Sequence, residues 1–232
     1  MRRSAEQEAA TRHDLLVAAL AEFAASGYAA ATLAAVAARA GTTRDAACQH
    51  FPDKATLYLA AVQELGAEAA TPVWSRLDGP EPPLRRIADF LVAFFTALER
   101  DTTLREVYSL AMRGAEGAPE LEPGLKDKQA IMEGRLRHMA ELLRTADLRP
   151  GVSPGTAALT ITTAVNGTAA TWLACRELFS PAEQARPLAD AILYGLAEPR
   201  LTEPDDPARS VPLVRETRES APEDSDTGTT AG

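Results

Sequence analysis

Arg44, Asp45, Gln49 and His50 fall on one short stretch, behind Thr43 and ahead of Lys54. Such a set suits the edges and phosphates of nucleic acid. Arginine pairs bidentately with guanine, and glutamine does the same with adenine. Thr32, Thr43, His50 and Lys54 suit phosphate contacts, which fix register but carry little sequence information, and Gln49 could serve there too. Asp45 reads two ways. Near a helix N-terminus it gains from the dipole and turns sideways, or it accepts from a cytosine amine; it repels phosphate in either case.

These side chains need rigid elements to hold them. Over Thr32–Leu57, Leu33, Val36, Ala37 and Ala40 recur at helical spacing, with Thr32 placed to cap and Gly41 placed to end the helix. Thr42 and Thr43 offer a second cap, for a short helix over Arg44 to His50. Phe51 closes that helix, and Pro52 and Asp53 break the chain before Lys54. Two short helices joined by a Gly-containing turn form a helix-turn-helix, whose second helix fits a DNA major groove. The competing reading is a helical hairpin with no role on DNA.

Residues 11–57 resemble the DNA-binding domain of TetR-family transcriptional regulators. The matching residues are Thr11-Arg12, Leu15-Leu16, Ala18-Ala19, Phe23, Gly27-Tyr28, Thr32, Val36-Ala37, Ala40-Gly41, Thr43-Arg44, Ala46, His50-Phe51, Lys54 and Leu57. Three positions depart from the family pattern. Asp45 stands where Gly is usual, Cys48 where Tyr is usual, and Gln49 where an aromatic is common. The resemblance implies DNA contacts at the matched positions Thr32, Thr43, Arg44, His50 and Lys54, while Asp45 and Gln49 are candidates on their own chemistry. It also implies an effector cavity in the second domain and dimerisation through the last two helices. Residues 84–196 are similar to the AcrR-like branch, which controls multidrug efflux.

Composition narrows the classes. The chain has 232 residues, 46% apolar, and a net charge of −9. Residues 1–54 hold six basic and six acidic residues, residues 55–197 hold 14 and 18, and residues 198–232 hold four and nine. The acidity therefore lies outside the reading head, though the head itself is not basic. Phosphate binding would rest on local placement and helix N-termini, with strong salt dependence. No apolar run approaches the roughly 20 residues that span a bilayer, and the N-terminus has no apolar stretch after its arginines. Cys48 and Cys175 make no disulfide framework. Cys48 reads either as a neutral buried thiol or as a redox-sensitive one. A cytoplasmic protein is expected. His13, His50 and His138 show no metal spacing, and no phosphate loop, nucleophile elbow or Cys-His signature appears. No enzyme activity, catalytic residue, metal or cofactor is expected.

The expected fold is all-α: a three-helix N-terminal helix-turn-helix domain (1–53), a helical effector-binding and dimerisation domain (54–197), and a disordered acidic Pro-rich tail (198–232). Residues 1–10 read as a flexible arm, followed by a helix over about Ala5–Ser26 that ends at Gly27. Lys54 opens a long helix to about Leu77. Further helices are expected over Leu84–Arg100, Thr103–Arg113, Leu125–Ala146, Thr156–Leu178 and Pro181–Leu196, the last capped by Ser180 with Pro181 at its first position. Phe94, Phe95, Tyr108, Met112, Met132, Met139 and Trp172 could line one apolar pocket, with Arg105 and Asn166 as polar anchors; ordinary core is the competing reading. Small residues along 156–178 would let a second copy approach.

The expected function is a homodimeric regulator that grips a pseudo-palindromic operator in double-stranded DNA. It would act as a repressor and be released by a small hydrophobic effector through a population shift carried by helix 54–77. The alternative is a helical ligand-binding or sequestering protein with a degenerate reading head, motivated by Asp45, Cys48 and the neutral charge of residues 1–54.

Overall fold

A computed structural model describes residues 2–113 and 118–197; the tail expected to be disordered lies outside the described residues. The chain begins with α1 (Arg2–Ala30), α2 (Leu33–Arg39) and α3 (Arg44–His50). A long helical rod follows. It comprises α4 (Lys54–Ala60), a π turn (Ala61–Leu65), α5 (Gly66–Trp74) and a 3-10 turn (Ser75–Leu77). Then come α6 (Pro83–Arg100), α7 (Thr102–Arg113), a 3-10 turn (Pro119–Leu121), α8 (Glu122–Leu143), α9 (Pro154–Ala174) and α10 (Ala185–Leu196). No strand occurs among the described residues, only an isolated bridge between Leu148 and Ala197. The all-α expectation holds.

Several boundaries differ from the sequence reading. The expected N-terminal arm is helical from Arg2. Gly27 kinks α1 instead of ending it: its φ of 75° leaves helical geometry, and the helix resumes to Ala30. α8 starts and stops about a turn early, and α9 ends at Ala174. The last helix begins at Ala185, not Pro181. Ser180 caps only a turn, accepting from the Glu183 amide at 3.2 Å. The cause is Glu99 of α6, which takes the Ser180 hydroxyl at 2.6 Å and the Ala182 amide at 3.0 Å, pinning the chain before a helix can propagate.

Two apolar cores hold the helices. The first gathers Leu15, Leu16, Ala19, Leu20 and Phe23 of α1, Val36 and Ala37 of α2, Ala47, Phe51, Leu57 and Tyr58. Ala18, Ala31, Ala61, Leu65, Leu110 of α7 and Leu121 complete it. The core under the reading head thus extends beyond residue 54. The second core is built on α6, whose Ile87, Phe90, Leu91, Phe94, Phe95 and Leu98 are all buried at helical spacing. Around them pack Ala70, Val73 and Leu77 of the rod, Met139 and Leu143 of α8, Ala157, Ile161, Val165 and Trp172 of α9, and Ala189 and Leu196 of α10.

The rod belongs to both cores. A π turn accommodates one extra residue. Here it falls where the buried positions pass from the first core (Leu57, Ala61, Leu65) to the second (Ala70, Val73, Leu77). One continuous helical rod can therefore face both.

Candidate nucleic-acid interface

The reading helix is built by caps. Thr32 accepts from the Ala35 amide at 3.1 Å and starts α2. Gly41, at φ 68°, reverses the chain. Thr43 then accepts from the Ala46 amide at 3.2 Å and starts α3. Each cap satisfies an amide that the first turn leaves orphaned. α3 turns Ala47 into the core, and Phe51 seals its end. Arg44, Asp45 and Gln49 remain exposed on the other side, and His50 is half-buried. The side chains of Arg44 and Gln49 have no hydrogen-bond partner among the described residues. The structure therefore brings Thr43, Arg44, Asp45 and Gln49 together at the surface of one helix.

Lys54 is placed differently. Its Nζ donates to the carbonyls of Tyr28 at 2.8 Å and Ala29 at 3.3 Å, and it lies 4.4 Å from the centre of the Tyr28 ring. It caps the end of α1. Tyr28 packs with Phe23 and Tyr58, with ring centres 5.9 and 5.2 Å away, while Phe23 and Tyr58 meet edge-on at 5.0 Å. This aromatic triangle ties α1 to the rod. Burial and the Tyr28 hydroxyl's 3.0 Å bond to Glu120 push the Tyr28 phenol up to about 12.

Asp53 starts the rod. Its Oδ1 accepts from the Thr56 amide at 2.7 Å, and that bond holds its carboxyl below the ordinary value. Sequence reading treated Asp53 only as a chain breaker, although an Asp before a helical run is a capping signal. Arg12 ties α1 to the rod through Glu64, and Arg39 ties α2 to α1 through Glu22 at 3.2 Å. Cys48 is half-buried and Cys175 exposed; both are free thiols.

The nine residues expected around an effector divide. Phe94, Phe95, Met139 and Trp172 are buried in the second core. Tyr108 donates to Asn166 Oδ1 and meets Phe94 edge-on at 5.3 Å. Burial pushes the Tyr108 phenol up to about 12. Met112 and Met132 instead lie at the surface. Arg105 donates to the Glu99 carbonyl at 2.7 Å and the Thr102 hydroxyl at 3.0 Å, because the end of α6 leaves that carbonyl open. Sequence reading passed over Arg135 and Trp74, which approach the same group: the Arg135 guanidinium sits 4.5 Å from the Trp74 ring centre. The available signal was that Arg135 shares a helical face with Met132, Leu136 and Met139.

Two surface clefts lie elsewhere. One, of about 960 Å³, runs between α5 and α6 past Arg76, Arg85, Asp89, Thr96 and Arg100. The other, of about 350 Å³, is lined by Leu77, Arg86, His138 and Glu141 among others. Neither contains any of the nine residues. Among the described residues, no group of three His, Cys, Asp or Glu side chains could hold a metal ion. No described helix is long and apolar enough to cross a membrane.

The family model described as bacterial regulatory proteins, tetR family, matches residues 15–61. NalD, the secondary repressor of the MexAB-OprM multidrug efflux pump in Pseudomonas aeruginosa, is 26% identical with a TM-score of 0.70, over 83% of this chain and 98% of that one. SmeT in its triclosan complex is also 26% identical with a TM-score of 0.70, over 88% of this chain and 99% of that one. SmeT is the repressor of the Stenotrophomonas maltophilia multidrug efflux pump SmeDEF. FadR from Bacillus subtilis, in complex with stearoyl-CoA, shares the fold at 16% identity and a TM-score of 0.66, over 79% of this chain and 98% of that one. No curated protein matches. A capped, outward-facing α3 lies within the segment that matches the tetR-family model, and the fold is similar to that of the repressors NalD and SmeT: residues 15–61 are similar to the DNA-binding segment of TetR-family regulators, and the helical region that follows resembles theirs.

Proposed function

We propose that the chain is a cytoplasmic repressor that grips a pseudo-palindromic operator as a homodimer and is released by a small ligand with an apolar body. The observation that carries this reading is the exposed row on α3, with Arg44 and Gln49 free to meet base edges. Arg44 reads guanine, and Gln49 reads adenine or bonds phosphate. Thr32, Thr43 and His50 contact phosphate, and Asp45 accepts from a cytosine amine. Lys54 reaches phosphate only by leaving the Tyr28 and Ala29 carbonyls. The domains assigned are 1–53 for DNA, 54–197 for ligand and dimer, and 198–232 as an acidic tail.

The dimer reading rests on an exposed face of α9 and α10. Leu159 is 54% exposed and Tyr194 68% exposed, beside a run of small residues that includes Thr163, Gly167 and Ala174. A second copy seated there sets two α3 helices on successive major grooves, about 34–36 Å apart. Ligand binding among Phe94, Phe95, Tyr108, Met139, Asn166 and Trp172 moves the rod, on which the reading head is packed. The ligand weakens the operator complex by its differential affinity for the two arrangements. The repressors NalD and SmeT share this architecture, and SmeT has been seen with triclosan.

Nuclease footprinting on DNA upstream of the chain's own gene tests the reading. Two protected half-sites one turn apart support it; absence of any protected site at low salt overturns it. The competing reading, a ligand sequesterer with a degenerate head, draws on the exposed Asp45 and the occupied Lys54. It predicts the second outcome.

A further inference from the structure

Arg135 stands at a seam between α8, α7 and the rod. It shares the α8 face of Met132, Leu136 and Met139. Its guanidinium lies 4.5 Å from the centre of the Trp74 ring, and its charge acts on the Tyr108 hydroxyl. Tyr108 bonds Asn166 and packs on Phe94, so five helices, α5 to α9, converge here. Among the described residues no carboxylate pairs with Arg135 and no hydrogen bond holds it. Burial holds Arg135 below the usual arginine value. A desolvated guanidinium without an anion is costly, and an aromatic face returns only part of that cost. By contrast, Arg12, Arg39, Arg85, Arg144 and Arg186 all meet carboxylates.

The approach to this seam is apolar. α8 packs on α9 and touches α7 sparsely; Lys128 crosses to the Ala111 carbonyl at 2.8 Å. Beside that crossing Met112 is 41% exposed, Ile131 48% and Met132 38%. A cation without a carboxylate partner thus sits half-buried against Trp74, on the α8 face that also carries the exposed Ile131 and Met132.

We propose that the ligand of this domain is an organic anion with an apolar body, its acid group bound by Arg135 and its body laid against Trp74, Phe94 and Tyr108. This deepens the ligand-release reading above and rests on it. Arg135 supplies the charge, Asn166 and Tyr108 supply neutral hydrogen bonds, and Met112 and Met132 shape the way in. A guanidinium suits a carboxylate or sulfonate because its parallel N–H groups meet two oxygens at once.

Anilinonaphthalene sulfonate and phenylnaphthylamine share an aromatic body and differ by the acid group, so they serve as probes. Full-length protein is titrated with each by fluorescence, with labelled operator anisotropy read in the same samples. The sulfonate is expected to bind at least about tenfold tighter. Arg135→Met should erase that preference by weakening the sulfonate alone, while Arg135→Lys, which keeps the charge and guards against misfolding, should retain part of it. Equal binding of the two probes, binding of neither, or a preference that survives Arg135→Met overturns the proposal. Tight, Arg135-dependent sulfonate binding that leaves operator affinity unchanged upholds the anion site and refutes ligand release. Operator release by both probes alike, from wild type and Arg135→Met, refutes the anion site and upholds release.

Discussion

Arg12 closes two hydrogen bonds on the two carboxylate oxygens of Glu64, at 2.7 and 2.6 Å, and lays its guanidinium 5.1 Å from the centre of the Phe51 ring. One side chain thereby joins α1, the π turn of the rod and the end of α3. The pairing raises Arg12 and lowers Glu64 from their ordinary values, through the shared hydrogen bonds first. Both side chains are substantially exposed, at 39% and 47%, so the pair adds little to stability. Its consequence is positional: it fixes how α3 stands relative to the rod.

Arg12→Met should therefore separate stability from function. The thermal midpoint should move little, while operator affinity falls, by less than the loss from Arg44→Ala. Calorimetry beside operator anisotropy reads both. Unchanged affinity would show that Arg12 does not orient α3.

Asp53→Ala removes the cap of the rod and should cost about 1 kcal/mol. Thermal or urea unfolding measures it. The pH dependence follows from the depressed carboxyl. A folded-state value below the unfolded one gives stability that is present above the unfolded value of 3.8 and is lost as pH falls through the folded value. Glu64 acts with the same sign from its ordinary 4.5. The acid limb of the wild-type stability curve should therefore be steeper than that of Asp53→Ala.

Gly167→Arg tests the dimer face. A Cβ at Gly167 meets nothing within 4 Å and the position is exposed, so an arginine there can extend into solvent. Sedimentation should show monomers, with helical content unchanged. A persisting dimer would place the interface elsewhere than the exposed face of α9.

Much of this arrangement was legible in the order of residues. The caps Thr32 and Thr43, the turn at Gly41 and the buried stripe from Ile87 to Leu98 are local or periodic signals, and the structure uses each of them. What escaped depended on long-range partners. Lys54 reads as a phosphate contact, and its spacing does not show that the end of α1 comes within its reach. Ser180 looked like a helix cap until Glu99, 81 residues away, diverted it. Arg105 reads as a polar anchor, and spacing alone does not say that its guanidinium meets the end of α6 while that of Arg135 meets an aromatic ring. The π turn was likewise hidden, since an apolar rod shared by two cores reads as one long helix.

The central claim, that α3 reads base edges, is tested most directly by Arg44→Ala on the footprinted operator and on variants with each base pair changed in turn. The account predicts a loss of about 1–3 kcal/mol on the native operator and a relaxed preference at one base position. Equal affinity of wild type and Arg44→Ala for every duplex, with no position relaxed, would contradict it.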